Sequence, residues 1–346
     1  MTAAFVTPSS RPSAVAPLVF RRLRLGSLPA DRELLGARVL GDGSGAVGAT
    51  LLAPAGTWAD AWLGDGSLEH RQHGCVRYAS NGEWLHGLAE VSEVDDALGA
   101  GGEGGLRAAT HRAYTDLFEV LAGSESSHLL RLWNYIADIN LETDGSERYR
   151  QFNAGRQQAF LEADRSAYEG SPAACALGTR TGPLRVYFLA GRRAPLAIEN
   201  PRQVSAYRYP QAYGPRSPTF SRAALADVGA GRQALFISGT ASIVGHETMH
   251  LGDVRRQTRE SLANIGVLRE IASQRAGAGF DADRLVYTVY VRRHDDLEAV
   301  RSEFESVVGA TSRAAREALY LHADICRAAL LVEIEAHGFV PFGDAT

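Results

Sequence analysis

Between residues 235 and 272 the chain reads LFISGTASIVGHETMHLGDVRRQTRESLANIGVLREIA. An apolar run feeds a turn rich in glycine and small residues, then a polar loop, then a helical pattern. Leu262, Ile265, Leu268 and Ala272 recur at helical spacing, so the helix has one apolar face to bury. Asp253 stands where an N-cap belongs. A strand, a loop and then an amphipathic helix suit a sheet with helices packed on one face, a mixed α and β architecture.

The rest of the chain fits that frame. Residues 1–16 are rich in Ser, Pro and Ala and are expected to form a disordered lead. Residues 18–92 hold short β-like runs at 18–25, 38–40, 46–52, 75–79 and 84–91, broken by Gly-Asp and Asn-Gly turns. GAGGEGG at 99–105 reads as a flexible loop. A helix is expected over 106–122, a buried strand over 128–140 and a second helix over 147–168. From Leu184 the pattern restarts with LRVYFLA, a β-like stretch over 195–209, and a segment broken by Asn200-Pro201, Tyr209-Pro210, Gly214-Pro215 and Ser217-Pro218. LVYTVYVR at 285–292 alternates as a strand. Asp295 and Glu298 have capping-box spacing before a helix with Val300, Phe304 and Val307 inside. ALYLHADIC and ALLVEIEA are strand-like. The second half is therefore β-β-β-α-β-α-β-β, and the first half is a weaker version of the same order. Two related α+β units, 17–183 and 184–346, account for this; one domain with an irregular extension is the alternative.

A formal net charge of −4 gives no electrostatic case for nucleic acid or an anionic membrane. All 36 basic residues are arginine, which excludes lysine Schiff-base chemistry. Cys75, Cys175 and Cys326 are odd in number, far apart and without a C-x-x-C pair, as suits a reducing compartment. The N-terminus lacks a secretory pattern and no stretch of about 18 apolar residues occurs, so a cytoplasmic protein is expected.

Four groups of residues could carry chemistry. His246-Glu247-Thr248-Met249-His250 spells H-E-x-x-H, with Glu270 spaced as a third ligand. A zinc hydrolase needs that pattern on a helix, and here the helix starts after it. Glu333 and Glu335 share one face of a strand whose other face is Val332 and Ile334. A carboxyl facing a dry cavity would hold its proton near neutral pH and serve as an acid; otherwise that face is simply solvated. Arginine and tyrosine cluster at Arg148, Tyr149, Arg150 and Arg156, and again at Tyr207, Arg208, Tyr209, Tyr213 and Arg216. Guanidinium groups bind carboxylates in bidentate fashion, so a small anionic substrate fits them, and surface exposure is the plain alternative. Cys326, with His322 four residues earlier, is either a thiol nucleophile or an inert core residue.

FISG, QTRESLANIGVL, LVYTVYVRR and LLVEIEA, in that order, resemble the signatures of the RidA (YjgF) superfamily, whose fold is a chorismate-mutase-like sheet backed by two helices. LLRLWNYIADIN, YRQFNAGRQQAF, NPRQVSAYRYPQAYGPRSPTFSRA and SGTASIVGHETMHLGDVRRQTRES are similar to the chorismatase family over 128–340. The resemblance implies two RidA-like units and removal of the enolpyruvyl group of chorismate as pyruvate. Glu333 takes the place of the family's acid. Gly239 and Cys326 fall at the positions that separate the types, and the pair resembles the type forming 3-hydroxybenzoate rather than a dihydroxycyclohexadiene carboxylate. Carboxylate binding falls to Arg156 and Arg216, with Tyr207 and Tyr213 as hydrogen-bond partners. The position near Tyr320, where small RidA deaminases carry a carboxylate-binding arginine before the last strands, is not arginine here, which counts against imine hydrolysis. The implied enzyme uses neither metal nor other cofactor and acts as a monomer. A non-catalytic binder of small carboxylated rings on the same scaffold is the remaining alternative.

Overall fold

A computed structural model describes residues 16–29, 33–41, 45–93 and 105–341. The expected lead over 1–16, apart from its last residue, and most of the GAGGEGG loop lie outside these residues.

The chain forms an N-terminal stretch of strands β1 (Leu18–Arg24), β2 (Leu34–Leu40), β3 (Thr50–Ala53) and β4 (Trp58–Gly64). The first unit follows as β5 (Glu69–His73), β6 (Val76–Ser80), β7 (Trp84–Val91), α1 (Leu106–Ala122), β8 (His128–Ala137), a short hairpin of β9 (Glu142–Thr143) and β10 (Ser146–Glu147), α2 (Arg148–Glu162), β11 (Ala173–Thr179) and β12 (Leu184–Gly191). After the short β13 (Leu196–Ile198) the second unit runs β14 (Ala223–Asp227), β15 (Arg232–Ala241), a hairpin of β16 (Ile243–Val244) and β17 (Glu247–Thr248), α3 (Val254–Ala276), β18 (Val286–Val291), α4 (Leu297–Val308), α5 (Arg313–Glu317), β19 (Leu319–His322), β20 (Asp324–Ile325) and β21 (Val332–Pro341).

The two units share one topology. The first sheet contains the order β6-β7-β12-β8-β11 and the second β14-β15-β21-β18-β19. In chain order both are first, second, fifth, third, fourth. In both, the third and fourth strands pair in parallel while the rest are antiparallel. Each parallel pair is joined through a helix, as parallel pairing requires. The two-unit α+β reading holds on this evidence of internal symmetry. The units also interlock. β20, from the second half, pairs with β11 at the edge of the first sheet, and β3, from the first half, pairs with β19 at the edge of the second. β12 is the middle strand of the first sheet, so the first unit runs on to Gly191, past the expected division at 183.

Each sheet is covered on both faces. α1 and α2 close one face of the first sheet over Leu85, Leu132 and Phe188. α3 and α4 close one face of the second over Leu235, Tyr287 and Ile334. The other two faces meet in a third core with Trp62, Trp84, Trp133, Tyr135, Phe236 and Tyr290. Burial on both faces explains the continuous apolar strands. A small sheet, β1-β4-β2, lines this third core and brings Arg22, Arg38 and Asp60 into it.

Several local expectations are corrected. α2 ends at Glu162 rather than 168, where Ala163 closes it. Only Leu196–Ile198 is strand in the 195–209 stretch; the prolines leave the rest irregular. The Asp295 capping box is not made: α4 starts after a 3-10 turn with Asp296 at its cap and no side-chain cap bond. Val307 is 50% exposed and Val308 is buried instead, so the inward stripe of α4 runs Val300, Phe304, Val308. Asp253 does cap α3, accepting from the Arg256 N–H at 3.0 Å.

Candidate active site

β21 runs antiparallel between β15 and β18, which places Glu333 opposite Ala241 on one side and Tyr290 on the other. The β15 ladder is broken between Ile237 and Thr240, so Ser238 and Gly239 sit in a bulge facing β21. Ser238 fixes the bulge: its hydroxyl donates to the Ser221 carbonyl at 2.6 Å and accepts from the Ala174 N–H at 2.9 Å. Gly239 then leaves its side-chain space to the Glu333 carboxyl. A Cβ there would lie well inside contact distance of Glu333 Oε1, and 2.9 Å from Cys175 Cβ.

The loop from 326 to 331 is anchored from two sides. Arg292 donates to the Asp324 carboxylate at 2.5 Å and to the carbonyls of Ile325, Arg327 and Leu330 at 3.0, 3.0 and 2.6 Å. Gln257 on α3 accepts from the Leu331 N–H at 2.7 Å and donates to the Ala329 carbonyl at 3.0 Å. This loop delivers Cys326 and Arg327 beside Glu333.

Glu333, Gly239, Cys326 and Tyr213 line one cavity of about 360 Å³. Tyr149, Tyr209 and Phe220 supply further walls; Arg150, Arg222 and Arg327 supply positive charge. Arg327 stacks over Tyr213, its guanidinium carbon 4.0 Å from the ring centre, and donates from Nη1 to the His246 carbonyl at 2.8 Å. Arg222 donates from Nη2 to the Val204 carbonyl and the Tyr209 hydroxyl, both at 2.8 Å. Arg327 Nη2 and Arg222 Nε are buried and have no hydrogen-bond partner among the described residues. Two guanidinium groups with a spare N–H, in a partly aromatic pocket, suit a small molecule with carboxylates. A wider cleft of about 610 Å³ lies between β2 and the β5–β7 edge, but its carboxylate, Glu90, is tied to Arg185 at 2.6 Å.

Both glutamates of β21 are buried, as one face of the strand requires. Their surroundings differ. Glu335 accepts from Arg38 at 2.8 Å, from Arg131, and from the Tyr290 hydroxyl at 3.0 Å. Although burial alone would raise it, these arginines bring its carboxyl down to about 2. Burial, helped by the charge of Glu335, pushes Glu333 up to about 8, against the pull of Arg131 and Arg292. Burial first, then Glu333, raises the Cys326 thiol to about 12, so it is neutral and no thiolate nucleophile at ordinary pH. Burial thus holds both Glu333 and Cys326 toward their neutral forms.

The remaining expected residues lie elsewhere. Arg156 does not line the cavity; it is buried against the rings of Tyr114, Phe160 and Phe152. Tyr207 meets Tyr168 edge-on at 6.4 Å, and Arg216 is exposed. H-E-x-x-H forms no helix: it spans the β16–β17 hairpin and its exit. His246 Nδ1 meets the Tyr213 hydroxyl at 3.2 Å and His250 Nε2 meets Glu260 at 3.3 Å, so the two imidazoles serve separate contacts. No group of three or more His, Cys, Asp or Glu able to hold a metal occurs among the described residues. Arg222 and the Glu335 network escaped the sequence reading. Arg327, beside Cys326, carried the one available signal: position next to a candidate.

The family described as "Chorismatase FkbO/Hyg5-like, N-terminal" matches residues 60–190. A 3-hydroxybenzoate synthase of Streptomyces hygroscopicus is 39% identical over 297 residues, covering 82% of this chain and 83% of its own. A chorismatase of Streptomyces rapamycinicus is 37% identical over 350 residues, covering 94% and 98%. The crystal structure of a chorismatase superposes with a TM-score of 0.79 at 31% identity, over 93% of this chain and 99% of that one.

Proposed function

The chain belongs to the chorismatase family, and from that membership we propose that it converts chorismate to 3-hydroxybenzoate and pyruvate with Glu333 as the acid. The observation that carries the reading is Glu333 itself: a buried carboxyl on the wall of the cavity that Arg222 and Arg327 also line.

The reaction needs a proton on the methylene carbon of the enolpyruvyl ether. Glu333 supplies it, and the resulting oxocarbenium ion weakens the bond between the ring and the ether oxygen. The neighbouring ring hydroxyl attacks the carbon losing that oxygen. Pyruvate departs, and the Glu333 carboxylate takes back a proton from the hydroxyl. The arene oxide so formed opens to the aromatic phenol. Atoms balance without water: one chorismate gives one 3-hydroxybenzoate and one pyruvate. The neutral Cys326 and the aromatic walls leave that internal hydroxyl as the favoured nucleophile. Arg222 and Arg327 hold the two carboxylates, a role the geometry favours for them over Arg156 and Arg216.

Gly239 acts here through the acid. A methyl at 239 meets the Glu333 carboxyl before it meets the ring, so it would move the proton donor and change the pose in which the ether breaks.

Hydrolysis to a dihydroxycyclohexadiene carboxylate is the second reading. Relatives called simply chorismatase are nearly as similar as the 3-hydroxybenzoate synthase. Identification of the products of chorismate in the presence of a chelator separates the two. Equal amounts of 3-hydroxybenzoate and pyruvate support the proposal; the dihydroxy diene as the main product overturns the subtype. Activity retained with the chelator supports a reaction carried by protein groups alone. Because the two units complete each other's sheets within one chain, we take the monomer as the working state.

A further inference from the structure

The small sheet β1-β4-β2 lies outside both repeated units, yet it reaches the strand that carries the acid. Arg22 on β1 makes a paired contact with Asp60 on β4, at 2.7 and 2.9 Å. Asp60 also accepts from Arg38 on β2 at 2.9 Å. Arg38 passes on to Glu335 at 2.8 Å, and Arg131 on β8 closes the same carboxylate from the other side. Tyr290 adds its hydroxyl at 3.0 Å. Every member of this chain of charges is at least nine-tenths buried by its side chain. Glu335 stands two residues from Glu333 on the same face of β21, roughly 7 Å along the strand.

We propose that Glu335 is a positioning residue for the acid: locked in its ionised form by Arg38, Arg131 and Tyr290, it keeps the proton on Glu333. The inference rests on the reading of Glu333 as the proton donor. Two carboxylates on one dry strand face cannot both ionise without strong repulsion, and hydrogen bonds decide which one does. Glu335 receives the arginines, so the proton stays on Glu333, which faces the cavity. Other groups act on Glu333 from the surrounding elements: Arg131 on β8, Arg292 after β18, Cys326 in the loop, Tyr149 on α2 and Cys175 on β11. Arg150, Arg222, Arg327 and Glu147 line the same cavity. Arg131 and Arg292 favour the ionised form of Glu333, so removing the Glu335 charge both ends a repulsion and frees Arg131 to act on it. Both effects pull the proton off Glu333.

The test is the pH profile of kcat/KM for pyruvate release in Glu335→Gln and Glu335→Asp. The glutamine variant is expected to move the alkaline limb down by about one pH unit, a ten-fold loss above the limb with smaller loss below it. The aspartate variant, which keeps the charge, is expected to leave the limb near its wild-type position. A limb unmoved in Glu335→Gln, with activity lowered equally at every pH, overturns the proposal. Carbon NMR of the glutamate carboxyls in the wild-type protein tests it without a variant. Glu333 should titrate above neutrality while Glu335 stays ionised throughout; joint titration of the two near neutrality overturns it. Undiminished activity in Glu333→Gln is a different failure, since it removes the acid reading and leaves the titration of Glu335 as observed.

Discussion

Glu333 and Glu335 point to the same face of β21, both buried, and their surroundings push them apart: burial raises Glu333 to about 8, while Arg38 and Arg131 bring Glu335 down to about 2. Glu335 has two guanidinium partners and a phenol; Glu333 has the cavity. One strand thus carries a fixed anion beside a carboxylic acid, the division of labour that acid catalysis near neutral pH needs.

The pH dependence follows with a definite sign. In the proposed mechanism the active form carries the proton on Glu333, whose carboxyl burial pushes up to about 8. Turnover should therefore hold below that pH and decline as pH rises through it. A rate profile measured over this range checks the point; activity that climbs steadily into alkali would show that the ionised carboxylate is the working form.

Gly239→Ala should lower turnover and shift products toward the dihydroxy diene. The methyl must displace the Glu333 carboxyl and crowd Cys175, an overpacking expected to cost about 1–3 kcal/mol of stability. Chromatography of the products, with denaturant unfolding alongside, separates the two effects. An unchanged product ratio at reduced rate would assign Gly239 to packing alone.

Replacing Arg222 or Arg327 by Met should weaken substrate binding. Loss of a charge-assisted hydrogen bond costs about 1.5–3 kcal/mol, so KM should rise roughly 10- to 100-fold. The same change at exposed Arg216 should leave KM within about two-fold. Steady-state kinetics on the three variants checks the assignment, and a large effect at Arg216 alone would reverse it.

Asp60→Asn should destabilise the fold. It removes the partner of Arg22 and Arg38 in a dry interior, where breaking one side of an ion pair costs about 3–5 kcal/mol. Urea unfolding measures this. A loss below about 1 kcal/mol would mean that water reaches the pair.

Much of this was legible in the chain. α1 falls on the expected 106–122, and β8, β15, β18 and β21 follow their apolar runs. Strand alternation alone put Glu333 and Glu335 on one face. β4 was missed because WADAWLG places Asp60 inside a strand, a charge whose partners, Arg22 and Arg38, lie 38 and 22 residues away. The link from Arg38 to Glu335 spans 297 residues and has no local signature. Arg222 was hidden for the same reason: nothing local marks it among 36 arginines, and Arg327 had only its place beside Cys326. Arg156 and Arg216 were placed by resemblance, not by spacing. The H-E-x-x-H spelling misleads because the backbone turns at Gly245, with φ of 60°, where a zinc site would need a helix.

The most direct measurement is pyruvate release from chorismate by Glu333→Gln beside the wild-type protein, with folding checked by circular dichroism. Gln keeps the shape and cannot donate the proton, so the account predicts a fall of about 10²- to 10⁴-fold with an unchanged fold. Turnover within about ten-fold of wild type would contradict it and move the acid to another group.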